Sequence, residues 1–510
     1  MRLSIRWFVL LIIVCSFNNK VSASTYNFQP ALSLSTNVSP RGVAVGNVYG
    51  DVFQSLVVAN FGSSTFIGQT TPATLLSALT PTLQVFSPSA RGLQLTNTIS
   101  TASSPRGVFL FDLGNKNYQD ILVTAYDSNL LQVFSWDKGQ FLKTSEQATL
   151  KMPVGVNAGL TRAGGNVFVA VADYGDNKIS LFQVEGGKLG KRFDIPVDDG
   201  PTQVAIGDLN GDGKNDIAVA CLSANKVDLL SMNPTGSNDD LSSYAVTKTI
   251  TLPGLSAPSD LRVADLNSDG KMDLVVSCFA TNTINLYFQK NDGSLSAQPV
   301  LSTSGLHPNG LDVADLNGDG GKEIVIANRD SDSLDIFQFV GGQYQLVQTL
   351  KVAEDSNSGF GPVEIRALDS RKLGKMDLVT SQMRSNTIKV LNQVVAVSTP
   401  TPVSTAAPSS NTDQPFSDKT TMAYPNPSHD GKVKLSFTLE SPSPIIIRIF
   451  DLSGRLVWNQ TLSASQTNSG VNTVDWSGIN QSGENLASGL YLCSITVGNQ
   501  TITKKIAIIH

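Results

Sequence analysis

Three nine-residue stretches place oxygen-bearing side chains at their first, third, fifth and ninth positions: DLNGDGKND at 208–216, DLNSDGKMD at 265–273 and DLNGDGGKE at 315–323. The side chains are Asp208, Asn210, Asp212 and Asp216, then Asp265, Asn267, Asp269 and Asp273, then Asp315, Asn317, Asp319 and Glu323. Hard oxygen ligands on alternate residues, completed by a backbone carbonyl at the seventh position (Lys214, Lys271, Gly321), suit calcium. Gly213, Gly270 and Gly320 stand where a chain wrapping an ion must turn sharply. An EF-hand would need a glutamate at the twelfth position, but Val219, Val276 and Ile326 stand there, and both flanks read as strands. The pattern is a calcium loop set in a β-hairpin, and it predicts three Ca2+ sites.

The elements that must carry these loops repeat as well. Pro40, Pro105, Pro153, Pro201, Pro258, Pro308 and Pro362 each open a segment, at spacings of 48 to 65 residues. A short apolar strand follows each proline, then the loop or a decayed copy, then two more strands (IAVAC and VDLL in the fourth unit). Before the third strand stand Asn129, Asn177, Asn225, Asn282, Asp332 and Asn386, residues that tolerate the left-handed backbone of a hairpin turn. Repeats of this length with about four strands each are propeller blades. Seven of them suit a ring without open edges. The seventh unit runs out of strands near Val397, and FQPALSLSTNVSPRG at the start echoes AQPVLSTSGLHPNG before the sixth unit, so residues 26–36 are expected to supply the last blade's outer strand.

These features resemble the FG-GAP or VCBS repeat family, whose fold is the seven-bladed propeller of the integrin α-chain head; the resemblance covers roughly 26–397. Four loops have decayed. The first keeps only Asn47 and Asp51, the second puts Lys116 on a ligand position, the third has no acid, and the seventh has Arg371 and Leu373 where Asn and Asp belong. Calcium is therefore expected in blades four, five and six.

The chain changes character after Val397. STPTPVSTAAPSSNTDQP, within a linker at 398–419, is a Ser/Thr/Pro-rich tether. Residues 420–510 hold strand candidates at sandwich-like spacing. This tail resembles the C-terminal sorting domain of type IX secretion cargo and the Ig-like domain of flagellar hook-cap proteins. The matching residues are Tyr424–Pro427, Asp451–Arg455, Trp476–Gly478, Leu486–Tyr491 and Lys504–Lys505. The resemblance implies recognition by the secretion machinery and delivery across an outer membrane to the cell surface. Similar domains also serve as plain spacers.

At the other end, Arg2 and Arg6 precede WFVLLIIVC, and Val21-Ser22-Ala23 fits a cleavage site, so residues 1–23 read as a signal peptide and 24–397 as the propeller. Cys15 would suit a lipoprotein signal, but Val14 stands where a small residue is needed. Cys221 and Cys278 occupy equivalent places in adjacent blades, too far apart for a disulfide, and are expected as buried thiols. A net charge of −5 without a basic run argues against nucleic acid. No stretch of the mature chain is long enough to span a membrane as an apolar helix. Trp458, Trp476 and Tyr491 are expected in the tail's core.

No HExxH, nucleophile elbow or paired-cysteine zinc pattern occurs, and His307 reads as a loop residue. Strand parity puts Asp260 and Arg262, Gly310 and Asp312, Glu364 and Arg366 on the channel face of consecutive innermost strands, with Arg41 and Arg106 of two SPRG segments nearby. These groups make either a ring of inter-blade ion pairs or a site for an anionic or polyhydroxyl ligand. The insertion at 61–81 is a second candidate contact region. The expectation is an exported binding module for a surface glycan or protein. The alternatives are a surface coat or filament component, and a polysaccharide- or lactone-acting enzyme using the channel.

Overall fold

A computed structural model describes residues 26–29, 32–51, 53–62, 80–89, 92–233, 239–352, 361–369, 375–393, 421–424, 428, 432–451, 456–480, 485–497 and 500–508. The expected signal segment, the linker, most of the 61–81 insertion, and Arg371 and Leu373 lie outside these residues. The described chain is all-β with only short 3-10 turns. It divides into two compact units, one holding the strands from Leu32 to Leu391 and the other those from Met422 to Ile508.

Each repeat proline begins a strand: Pro40–Gly46, Pro105–Phe111, Pro153–Leu160, Pro201–Gly207, Pro258–Ala264, Pro308–Ala314 and Pro362–Leu368. Proline has no N–H to give to a ladder, and the first position of a strand tolerates that loss. Ser39, Ser104, Met152, Gly200, Ala257 and His307 precede six of them, all with positive φ, so the chain turns sharply into those six strands. Each of these strands is the first of an antiparallel sheet. The second strands, such as Asp216–Cys221 and Asp273–Cys278, are buried along their whole length, which explains their unbroken apolar runs.

Among the described residues, seven such sheets belong to the first unit. Each proline-led strand lies beside the next, and Pro362–Leu368 lies beside Pro40–Gly46, which closes the cycle into a β-propeller. The last sheet borrows its outer strand from the start of the chain, where Leu32–Ser35 pairs with Thr387–Leu391. The apolar core is a set of wedges between neighbouring sheets. Phe168 and Ile179 pack with Ile217 and Val219 between blades three and four, and Val43 and Leu56 pack with Val379 and Ile388 between blades one and seven. Burial of apolar area thus holds blade to blade, and no single blade keeps a core of its own.

In the second unit, Met422–Tyr424, Val433–Leu439 and Gly470–Trp476 form one sheet. Leu456–Leu462, Ile445–Asp451, Gly489–Val497 and Gln500–Ile508 form another. Both sheets contribute to one core around Phe437, Ile447, Trp476 and Tyr491, with Trp458 packed against it. The polar tips of the buried aromatics are satisfied: Trp476 Nε1 donates to the Ile479 carbonyl at 3.0 Å and Tyr491 Oη to that of Ala487 at 2.7 Å. Cys221, Cys278 and Cys493 are buried free thiols.

Candidate functional site

The ion-loop residues of blades four to six form tight turns between first and second strands. In blade four, Asp208 accepts from the amides of Gly211 (2.6 Å) and Gly213 (2.8 Å), and Asn210 accepts from Asp212 N at 2.9 Å. The Lys214 amide donates to Asp212 at 2.8 Å. Blade five repeats this with Asp265 accepting from Gly270 N (2.8 Å), Asn267 from Asp269 N (3.0 Å), and Asp269 from Lys271 N (3.0 Å). Blade six does so with Asp315 accepting from Gly320 N (2.9 Å), Asn317 from Asp319 N (2.8 Å) and Asp319 from Gly321 N (2.8 Å). Gly213, Gly270 and Gly320 have φ of 81°, 83° and 92°, the left-handed backbone the sequence required.

The ninth residue closes each turn by accepting the amide of the second: Asp216 from Leu209 N at 2.9 Å, Asp273 from Leu266 N at 3.0 Å and Glu323 from Leu316 N at 2.8 Å. These carboxyls are buried. Burial, and then the neighbouring loop carboxylates, push Asp216 and Asp273 up to about 6; burial does most of the same for Glu323, at about 7. Among the described residues no lysine or arginine pairs with any of the three. The loop carboxylates are not drawn into a ready cage: among the described residues no three acidic, histidine or cysteine side chains converge as a metal-holding group. The loop amides occupy Asp208, Asp265 and Asp315 instead. The donor set, oxygen only with excess negative charge, still fits a hard cation.

The decayed loops keep the turn and change the charge. In blade two, Asp112 accepts from Gly114 N (3.1 Å), Lys116 N (2.7 Å) and Asn117 N (2.9 Å), and Asp120 accepts from Leu113 N at 3.1 Å. Lys116 Nζ forms an ion pair with the wholly buried Asp120, which also accepts from Ser135 Oγ. In blade three, Arg162 reaches Asp239 of the following blade at 3.4 Å. In blade one, Asn47 caps Gly50 N at 2.8 Å, and Asp51 accepts from Phe53 N at 2.9 Å.

At the hub lies a cavity of about 720 Å3. Arg41, Arg106, Arg262, Asp312, Glu364 and Arg366 all line it. Asp260 does not, which corrects the expectation from parity. At the third position of the innermost strands the next blade comes so close that a Cβ on Gly42 would sit 2.2 Å from the Arg106 carbonyl, and one on Gly310 2.7 Å from that of Val363. Asp260 occupies this position and turns into the seam, where its carboxylate accepts from Leu311 N at 3.0 Å and Leu261 N at 2.8 Å.

The ion pairs also lie mostly within a strand rather than in a ring from blade to blade. Arg262 pairs first with Asp260 on its own strand at 2.5 Å, and reaches Asp312 only at 3.9 Å. Arg366 pairs with Glu364 on its own strand at 2.9 Å. Asp312 is held by the Ala367 amide of the next blade at 2.8 Å. Burial raises Glu364 to about 7 despite Arg366. Among the described residues, Arg41 and Arg106 have no carboxylate in ion-pair reach. Arg41 stacks over Phe61 at 4.6 Å and Arg106 over Tyr126 at 5.1 Å. Burial, then Arg106, lowers Arg41 to about 10, and burial also lowers Arg106.

Sequence reasoning missed two features. Arg329 lies over Phe279 at 4.5 Å, and His307 stacks on the same ring at 4.4 Å while facing Asp330 at 2.5 Å. The turn asparagines also staple the next blade: Asn129, Asn177, Asn282 and Asn386 accept the amides of Met152 (2.9 Å), Gly200 (3.0 Å), His307 (2.7 Å) and Ser39 (2.8 Å). Their recurrence immediately before the third strand of each of these blades was the available signal.

Comparison with known proteins gives two family matches: FG-GAP-like repeat over 208–276 and 265–326, and Secretion system C-terminal sorting domain over 422–509. No curated protein matches. Among solved structures the chain is similar to a BBS1N–ARL6DN complex (14% identity, 73% of this chain and 99% of that one, TM-score 0.49). It is also similar to the Myceliophteria thermophila Cps50 (Swd1) beta-propeller domain (11%, 71% and 98%, TM-score 0.47). A third is a putative 6-phosphogluconolactonase from Bacteroides uniformis (18%, 58% and 82%, TM-score 0.42). No helix among the described residues is long and apolar enough to cross a membrane. The chain is a β-propeller carrying FG-GAP-like repeats and a type IX secretion sorting domain, which sends it to the cell surface or beyond.

Proposed function

We propose that this exported propeller is a calcium-stiffened binding module that captures a glycan or protein ligand at the hub cavity. The observation that carries the reading is a cavity of about 720 Å3 lined by two arginines, Arg41 and Arg106, that have no carboxylate partner among the described residues. That volume falls in the usual range for ligand sites. Guanidinium groups kept from carboxylates are costly to bury, and an incoming anion or acceptor would offset that cost beyond what the aromatic contacts supply. Calcium, held by the side chains at positions one, three, five and nine of the blade-four, -five and -six loops and the carbonyls of Lys214, Lys271 and Gly321, supplies rigidity and no chemistry of its own. Its loops stand beside the seams: Gln289 Nε2 of blade five donates to the Asp208 carbonyl of blade four at 2.9 Å, and Tyr344 Oη of blade six to the Leu266 carbonyl of blade five at 2.8 Å.

The test is binding of the purified protein to arrayed glycans and surface extracts, with calcium and then with chelator. Saturable binding that weakens in chelator is expected. No binding by a folded, calcium-loaded sample overturns the reading and moves weight to a structural coat component.

A further inference from the structure

The arginines of blades one and two belong to a ladder of rings and cations. Arg41 and Arg106 hold the second position of consecutive innermost strands. Phe61, Tyr126 and Tyr174 each follow the last residue of a second strand in blades one, two and three. Arg41 lies over Phe61 and feels Tyr126; Arg106 lies over Tyr126 and feels Tyr174. The rings of Phe61 and Tyr126 are 6.1 Å apart. A guanidinium is a planar fork whose N–H groups can grip a carboxylate with two parallel hydrogen bonds. Arg41 Nε is buried and, among the described residues, has no hydrogen-bond partner.

The charges around the cavity decide which anion fits. Arg41, Arg106, Arg262, Arg329 and Arg366 line it. Against them stand Asp260, Asp312, Glu364 and Asp330, which pair with or lie near Arg262, Arg366 and Arg329. Five cations against four carboxylates leave a net charge of one, with the surplus cations at the Arg41–Arg106 end and the surplus carboxylate among the other three arginines. A multiply charged phosphate would meet repulsion from Asp312 and Glu364 across the cavity. A single carboxylate carries less charge and meets less of that repulsion, and those same two side chains accept hydroxyl donors. Asn157 and Gln203 complete a lining suited to a polyhydroxyl body.

We propose that Arg41 and Arg106 form the receptor for the carboxylate of an acidic saccharide, a uronate or sialate class of sugar, whose hydroxyls face Asp312 and Glu364. The proposal rests on the binding reading above and narrows it.

The experiment is titration calorimetry of the whole protein, calcium-loaded, with uronate- and sialate-bearing oligosaccharides. The comparison ligands are the same sugars with carboxyls reduced to hydroxymethyl groups, a neutral oligosaccharide set, inorganic phosphate and an acidic tripeptide. At least one acidic sugar should bind, with its reduced form, Arg41→Gln and Arg106→Gln each weakening binding about tenfold or more. Arg106→Lys keeps the charge without the planar fork and should not restore full affinity. It also serves where a glutamine variant fails to fold. Equal binding of reduced and acidic sugars, parent-like binding by folded variants, or equal binding of phosphate or peptide overturns the proposal. Binding of neutral glycans or a surface protein alone sinks the acidic-sugar assignment and leaves the binding module standing. Silence from every ligand and extract removes both.

Discussion

In blade two the carboxylate of Asp120, ninth in its loop, is buried beside the ammonium of Lys116; in blade five Asp273, at the same position, is buried with no ammonium or guanidinium paired to it among the described residues. Both accept the amide of the second loop residue, from Leu113 and Leu266, and both begin a fully buried strand. The turn is therefore not made by the ion. It is made by an aspartate at position one that gathers loop amides, and by a ninth carboxylate that closes the hairpin. What differs is the source of positive charge. Blade two carries its own on a four-carbon stem, while blades four to six are left with carboxylates whose proton affinities are raised first by burial and then by one another. A buried carboxylate needs a cation or a proton, so one scaffold serves as a fixed structural hairpin or as a proposed calcium site.

The largest effect should follow removal of calcium. Binding at a hundredfold excess over Kd stabilises by about 2.7 kcal/mol per site, and three sites act on adjacent blades. Chelation should lower the thermal midpoint markedly, and Asp273→Asn should reduce bound calcium from three ions to two by metal analysis. An unchanged midpoint in chelator, with no calcium in the metal analysis, would break the comparison at its blade-five end.

Lys116→Met tests the other end. It strands Asp120, which is wholly buried, and should cost about 3 kcal/mol in urea unfolding. Added calcium should not recover that loss, because Gly114 stands where the third ligand belongs. Gly114→Asn with Lys116→Asp supplies the missing oxygens, and a Cβ at Gly114 would meet only the Lys116 side chain. That double variant should bind a fourth calcium, read as stoichiometry by calorimetry. Recovery of Lys116→Met by calcium would show that the lysine is not a substitute cation.

Much of this was legible in the residues. The seven prolines mark innermost strands, the asparagines before the third strands do sit at positive φ (Asn129 at 54°, Asn282 at 56°), and Leu32–Ser35 does close the last sheet. Local chemistry decides those features. The hub was less legible because parity tells which face a side chain leaves from and not how near the next blade lies. Asp260 and Gly310 share a parity and a position, yet only the distance to the following strand explains why one turns into the seam and the other has no side chain. The pairing of Arg262 with Asp260 two residues away, in preference to Asp312 across the seam, is likewise a matter of side-chain reach. The stack of Arg329 and His307 on Phe279 joins residues of two blades that lie far apart in sequence.

A third buried carboxylate refines the rule. Asp173 ends the second strand of blade three, is wholly buried, and accepts from Ser180 Oγ at 2.6 Å while its other oxygen has no partner among the described residues. Burial pushes it up to about 7. An unfolded aspartate releases its proton near 3.9, so the folded chain holds the extra proton between these values. The stability this gives is complete below about pH 4 and is lost as the pH rises through 7. Asp173→Asn should therefore stabilise by about 1 kcal/mol at pH 8 and change little at pH 4. Equal effects at both values would mean that Asp173 is paired in solution, as Asp120 is here.

The smallest effect separates ion pairing from burial. Arg162 faces Asp239 across the blade three–four seam at 3.4 Å, but the two side chains are 37% and 28% exposed. Such pairs contribute roughly 0.5 kcal/mol or less, so Arg162→Ala should barely move the urea midpoint, and salt should erase what remains. Thr161 is the stronger partner: its hydroxyl, on a wholly buried residue, also bonds Asp239 and is the main reason that carboxyl lies below its usual range. Thr161→Val should cost about 1 kcal/mol, more than loss of the arginine. If Arg162→Ala instead matched Lys116→Met, the depth of the carboxylate would not be what sets these energies, and the contrast between blades two and five would have to be sought in the backbone of the turn.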